Sequence, residues 1–349
     1  MRLADRVAQC RTPFVVQSTK DGSITHLTNA AAFAKDIANC ATRYVLNDEL
    51  TRLCTALAYS KGASTLACAD LLRVPSDRVW IEWAEAPWWD ELTRYGFKSP
   101  VDSVIGGRRG VFIQSTPQGR RGLLRTFWAI GESDMDVMSS NMEAYFDFDT
   151  EEGEDPEAYG RPERSSLCVA DYAVKGADIL RRCFRFRFER TWQDYYGRAS
   201  LTPEQTDALH RDSLGTIAIE IPVLLAFLLL LITRPGLPRR PLMLERLNRA
   251  RAKSGKSALL EQIEVFAPLL PEYKSGLGSA LDTFRRPPRL HHVRGHLVRR
   301  GSKLFWRVPH LRGSARAGSV RTRTVTWQLD SALCPSRYSD IPEQASQMS

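Results

Sequence analysis

The chain has 349 residues, 43% of them hydrophobic and 26% charged. These proportions exclude global disorder and leave ample material for one large domain or two ordinary ones. Its net charge is +9, and twelve Lys and Arg side chains with no Asp or Glu fall between Thr283 and Leu329. Without those twelve, 37 basic side chains face 40 acidic ones. One segment therefore supplies the whole positive excess, an asymmetry that points to a polyanion partner: DNA or RNA, an acidic protein, or an acidic membrane surface.

Residues 28–60 show apolar side chains near helical spacing (Phe33, Ile37, Tyr44, Leu50, Leu53, Leu57), which predicts helix, interrupted at Asn47-Asp48 and ended by Gly62. A short helix is expected around Leu66–Leu72, ahead of Pro75. Arg78-Val-Trp-Ile-Glu-Trp83 has strand composition. Gly110–Ser115, Leu123–Ile130 and Glu143–Phe148 are further strand candidates, with turn chemistry at Gly106-Gly107 and Gln118-Gly119. Residues 132–163 hold twelve carboxylates and read as a solvated acidic loop.

In Phe184–Arg190 phenylalanines alternate with Arg185, Arg187 and Glu189, the pattern of a half-buried strand with a charged outer face. Thr202-Pro203 opens a helix. The run Thr216–Ile232 is the strongest apolar signal, but its uninterrupted part, Ile221–Ile232, is shorter than the roughly 20 residues a membrane span requires. A buried core helix is the reading it favours, with membrane association the lesser alternative. A basic helix over Met243–Lys253, with Leu244, Leu247 and Ala250 on one face and Gly255 at its end, precedes a strand at Glu261–Phe266.

The motifs that would mark an enzyme fail on context. Gly255-Lys256-Ser257 lacks the earlier glycine and the preceding strand of a phosphate-binding loop. No Gly-x-Ser-x-Gly elbow occurs. His292 and His296 have helical metal-ligand spacing, but Pro287, Pro288 and Gly295 argue against a helix, and no acidic ligand lies nearby in sequence. Neither a metal nor a cofactor is expected, and catalysis has no support. Seven cysteines, at 10, 40, 54, 68, 168, 183 and 334, form no C-x-x-C pair. They read as reduced thiols, and with no apolar h-region after Met1 a cytoplasmic location is expected.

Within the basic segment, Val293–Arg299 and Lys303–Val308 flank a turn at Arg300-Gly-Ser, which predicts a β-hairpin. Val320–Leu329 alternates in a way that suggests a third strand. Arg289, Arg294, Arg299, Arg300, Lys303, Arg307 and Arg312 are the candidate nucleic-acid contacts. Pairing of this segment with the acidic 132–163 region is the competing use of its charge.

Three stretches carry a resemblance: Leu247-Asn-Arg-Ala-Arg-Ala-Lys-Ser-Gly-Lys256, Arg289-Leu-His-His-Val-Arg-Gly-His-Leu-Val-Arg-Arg-Gly301 and Trp306-Arg-Val-Pro-His-Leu-Arg-Gly313. Pro75 with Val79-Trp-Ile-Glu-Trp83 extends it upstream. In these stretches the chain resembles a family of uncharacterised proteins encoded by phages and prophages. The resemblance implies a cytoplasmic phage-type protein and no particular activity. The expected architecture is α+β, with helices around a mainly antiparallel sheet. Its parts are a helical hairpin with a small sheet over 1–131, the acidic loop 132–163, a mixed region 164–282, the basic β-hairpin module 283–330 and a disordered tail 331–349.

Overall fold

Alternating apolar side chains build a sheet whose two faces are both covered. The computed structural model describes residues 2–11, 15–18, 24–60, 68–97, 107–129, 137–150, 177–198, 202, 204–205, 213–215, 217–233, 236–268, 289–293, 296–307, 310–312 and 314–319. In chain order α1 (Leu3–Gln9) precedes β1 (Val15–Ser18) and β2 (Ile24–Thr28). A 3-10 turn at Ala30–Phe33 then runs into α2 (Ala34–Ala38), β3 (Thr42–Leu46) and α3 (Asp48–Ser60). After a second 3-10 turn at Ala69–Leu71 come β4 (Arg78–Ala84), α4 (Glu85–Thr93), β5 (Arg108–Ser115), β6 (Arg121–Ala129) and β7 (Val137–Asp147). Next are α5 (Ala177–Cys183), β8 (Phe184–Phe188), α6 (Arg190–Arg198), α7 (Ile221–Leu231), β9 (Arg239–Pro241), α8 (Glu245–Lys253) and β10 (Ile263–Val265). Five strands end the described chain: β11 (Arg289–Val293), β12 (His296–Arg300), β13 (Lys303–Arg307), β14 (His310–Arg312) and β15 (Ser314–Ser319).

Eight strands form one sheet in the order β8-β7-β6-β5-β4-β3-β10-β9. Along β4, Val79, Ile81 and Trp83 enter a core shared with α3, α4 and α7, while Trp80 points to the other face, where α1 and α2 lie. Burial of both faces explains why β4 is apolar at nearly every position. The expected α+β class holds, but the sheet is mixed rather than mainly antiparallel. β3 runs parallel to β4, with α3 between them in sequence, and β10 runs parallel to β3. A parallel pair needs such a crossover.

The helix expected across 28–60 gives way to strand at Thr42–Leu46. The Asn47 side chain then accepts the Leu50 N–H at 3.0 Å and so caps α3. The strand expected at Glu143–Phe148 is present but begins earlier, so Val137–Asp147 is an interior strand of the sheet rather than part of a solvated loop, with Glu143 and Asp147 buried. Residues 151–163 of the expected acidic loop lie outside the described residues, as do the strand expected at Val320–Leu329 and the tail. The sheet draws its strands from residues 42 to 265, so it continues across the boundaries expected at 131 and 164.

Phe184, Phe186 and Phe188 are buried as their alternation predicts. Glu189 is also buried, contrary to its expected outer face: its carboxylate takes the Asn29 amide at 3.0 Å and the Thr191 N–H at 3.1 Å, capping α6. The apolar run forms α7, with Pro222 in its first turn and burial on every side. Each such leucine contributes roughly 1.5–3 kcal/mol by burial. Among the described residues no helix is long and apolar enough to cross a membrane. α8 differs from expectation in packing: no residue of it is buried, and Leu247 is 48% exposed. Gly255, with φ of +66°, ends it as expected.

Candidate nucleic-acid interface

β12 and β13 form the predicted hairpin, shifted slightly from the expected bounds. The register pairs Arg300 with Lys303, Arg299 with Leu304, Val298 with Phe305, Leu297 with Trp306 and His296 with Arg307. Only Gly301-Ser302 lies in the turn. Gly301 has a φ of +58°, the left-handed conformation that two-residue hairpin turns favour.

Cross-strand partners share a face of a ribbon, and faces alternate along each strand. One face therefore holds Leu297, Trp306, Arg299 and Leu304. Leu304 is buried in the main core, and Leu297 and Trp306 pack against it. The other face holds His296, Val298, Arg300, Lys303, Phe305 and Arg307. Arg300, Lys303 and Arg307 are exposed, while Val298 and Phe305 are half-buried between the two charged ends.

The seven predicted contacts therefore separate. Arg300, Lys303 and Arg307 come together on the outward face. Arg299 lies on the docked face but stays exposed, and it forms a two-pronged surface ion pair with Asp70 (2.8 and 2.6 Å), while its Nε donates to the Gly301 carbonyl at 3.0 Å. The hydrogen bonds that it donates to Asp70 hold this guanidinium above its ordinary pKa. Arg289 opens β11 opposite Ser314, and Arg312 in β14 lies opposite His291. Arg294 lies outside the described residues.

For the competing use of the charge, pairing of the basic segment with 132–163, the described residues show these partners on each side. Arg299 takes Asp70, and the buried carboxylates of β7 take arginines of neighbouring strands. Glu143 is held by Arg125 from β6 and Arg187 from β8, each at 2.7 Å. Asp147 is held by Arg121 at 3.0 Å.

A second set of buried charges lay unrecognised in the sequence. Glu82, fully buried, accepts the Arg108 guanidinium at 2.8 Å, the Trp80 indole N–H at 2.9 Å and the Ala4 backbone N–H at 3.0 Å. Arg109 bridges Glu85 at 2.7 Å and Glu220 at 3.0 Å, with Trp88 and Trp128 rings at 5.1 and 5.4 Å. Burial pushes the Glu220 carboxyl up to about 7, against the pull of Arg109. One guanidinium serves two carboxylates there, and near neutrality Glu220 is part-protonated. Glu220 is 0% exposed, and its proton stays out of reach of any substrate. The sequence signals were glutamates inside apolar runs, Glu82 in Val79–Trp83 for the first network and Glu220 in Thr216–Ile232 for the second.

The described cysteines are free, buried thiols. Burial raises Cys54 well above the ordinary thiol range and Cys183 to about 11, which suits packing rather than nucleophilic attack. Comparison with protein-family models, with curated proteins and with solved structures finds no match to this chain, so the functional reading rests on its own residues.

Proposed function

We propose that this is a nucleic-acid-binding protein of phage or prophage type, acting without catalysis through the outward face of the β12–β13 hairpin. The observation that carries the reading is the register: it sets Arg300, Lys303 and Arg307 around Phe305 on one face, while the opposite face is docked on the core. Cations at both ends suit phosphates, and an aromatic ring between them suits a base face. A ribbon docked along one side offers a platform rather than a wedge for the major groove, so a single strand of DNA or RNA is the preferred partner. The phage-type assignment is supported by the sequence resemblance through residues 247–313.

Fluorescence anisotropy with labelled single-stranded DNA and RNA tests this. The native chain should bind, and Arg300→Ala/Lys303→Ala/Arg307→Ala should lose most of its affinity. Phe305→Ala should weaken binding by about 1–3 kcal/mol, the worth of one stacked base. Equal binding by the triple variant would refute the assigned surface. The rival reading is an acidic protein partner, and the Arg299–Asp70 pair shows that this hairpin accommodates carboxylates. Under that reading neither nucleic acid shifts the anisotropy, and the chain instead binds poly-glutamate.

A further inference from the structure

A cleft of about 390 Å³ lies on the α1 side of the sheet, away from the hairpin contacts already described, lined by Arg2, Asp5, Arg108, Leu242, Leu244, Leu259 and Gln262. Its size falls within the range of small-molecule sites, about 300–1,000 Å³. Its wall is a built structure. Leu242 donates its N–H to the Gln262 carbonyl at 2.9 Å, and the Asn248 side chain clasps both the N–H and the carbonyl of Leu259, at 2.8 and 2.9 Å. The Arg251 Nε holds the Ser257 carbonyl at 2.8 Å. These bonds pin the α8 excursion, which brings Leu242, Leu244 and Leu259 to the lining of the cleft.

The polar side is left unsatisfied. Gln262 is 3% exposed, and neither its amide nitrogen nor its amide oxygen has a partner among the described residues. The Arg108 Nε is taken by Glu82, but its buried Nη2 has no partner. Buried polar groups are ordinarily paired, and one left without a partner calls for an explanation such as a missing ligand. Burial and the neighbouring Arg108 both press Arg2 below its ordinary pKa, a strain that an added anion relieves. Asp5, Glu82 and Glu264 pull Arg2 the other way, but burial raises the Asp5 pKa and its Oδ1 accepts the Leu260 N–H at 2.7 Å.

We infer that this cleft binds a small carboxylate with an apolar body. The carboxylate would sit between Arg2 and the unpartnered Arg108 nitrogen, beside the Gln262 amide, with the apolar part against Leu242, Leu244 and Leu259. The inference is independent of the nucleic-acid reading, because no residue is shared between the two surfaces.

Titration of the full chain with hexanoate, hexanamide and inorganic phosphate, followed by calorimetry and by leucine methyl resonances, tests it. Hexanoate should bind saturably and shift the cleft leucines. Hexanamide and phosphate, each lacking one half of the recognition, should bind at least about tenfold more weakly, the scale of one lost charge-assisted hydrogen bond. Removing Arg108 would strand the buried Glu82, so the variants of choice are Arg2→Ala and Gln262→Leu. Both should fold and weaken hexanoate by about tenfold or more. No saturable hexanoate binding, unchanged binding in both folded variants, or equal binding of phosphate would each overturn the proposal.

Discussion

Arg109 sits between two carboxylates and two indole rings in the interior, and its removal would leave Glu85 and Glu220 facing each other without a counter-charge. Arg109→Ala should therefore destabilise the protein by about 3–5 kcal/mol, the usual cost of breaking a buried pair from one side, measurable by urea unfolding. Glu220 adds a pH signature. Its folded pKa of about 7 lies above the ordinary value of 4.5, so the native state holds a proton that the unfolded chain releases. Its contribution is present in full below about 4.5 and is lost as pH rises through about 7, a change on the order of 3 kcal/mol. Glu220→Gln keeps the shape and removes the titration, so the difference in stability between pH 4.5 and pH 7 should shrink relative to the native chain. An identical pH profile in both proteins would show that Glu220 does not hold this proton.

Among the elements, α3 depends on its cap. Asn47→Ala should cost about 1 kcal/mol, seen as a lower urea midpoint with unchanged slope. α7 depends on packing: Leu228 is buried, and Leu228→Ala should cost about 2–5 kcal/mol by the same measurement. The legibility of these elements follows their physics. Strands β4, β5, β6 and β8 were readable because alternation or β-branched and aromatic content marks a strand directly. α7 was readable because twelve apolar residues are too few to span a membrane. β3 was missed because Tyr44 and Leu50 fit a helical period that runs across the Asn47 cap, and the parallel pairings went with it. The second half of β7 was readable as Glu143–Phe148, but its first half was missed because Ser139-Ser140-Asn141 has the polar composition of a loop and sits beside the carboxylates of the acidic stretch. Partnerships such as that of Glu143 with Arg187 connect residues far apart in sequence, and composition carries no trace of them. The hairpin is the converse case, since its turn and alternation were local and its register followed. Even so, the pairing of Arg299 with Asp70 required knowing which ribbon face docks on the core.

For the whole molecule, the net charge of +9 overstates what is available for a partner. Many arginines of the sheet, Arg108, Arg109, Arg121, Arg125 and Arg187 among them, are committed to internal carboxylates. Exposed cations remain on the hairpin and on the α8 segment, where Arg246, Lys253 and Lys256 are exposed. Removing those three by alanine substitution changes the net charge as much as removing Arg300, Lys303 and Arg307. The proposed interface therefore predicts unequal outcomes for equal charge. The α8 variant should retain most single-strand binding and the hairpin variant should not, whereas a general attraction of a basic protein to a polyanion would weaken both alike.

The most direct test is the salt dependence of single-strand binding by the native chain. Three phosphate contacts predict that log affinity falls against log salt with a slope of about −2, and the hairpin alanine variant should bring that slope toward zero. A slope near zero in the native protein, or the same slope in both proteins, would contradict the assignment of this face to nucleic acid.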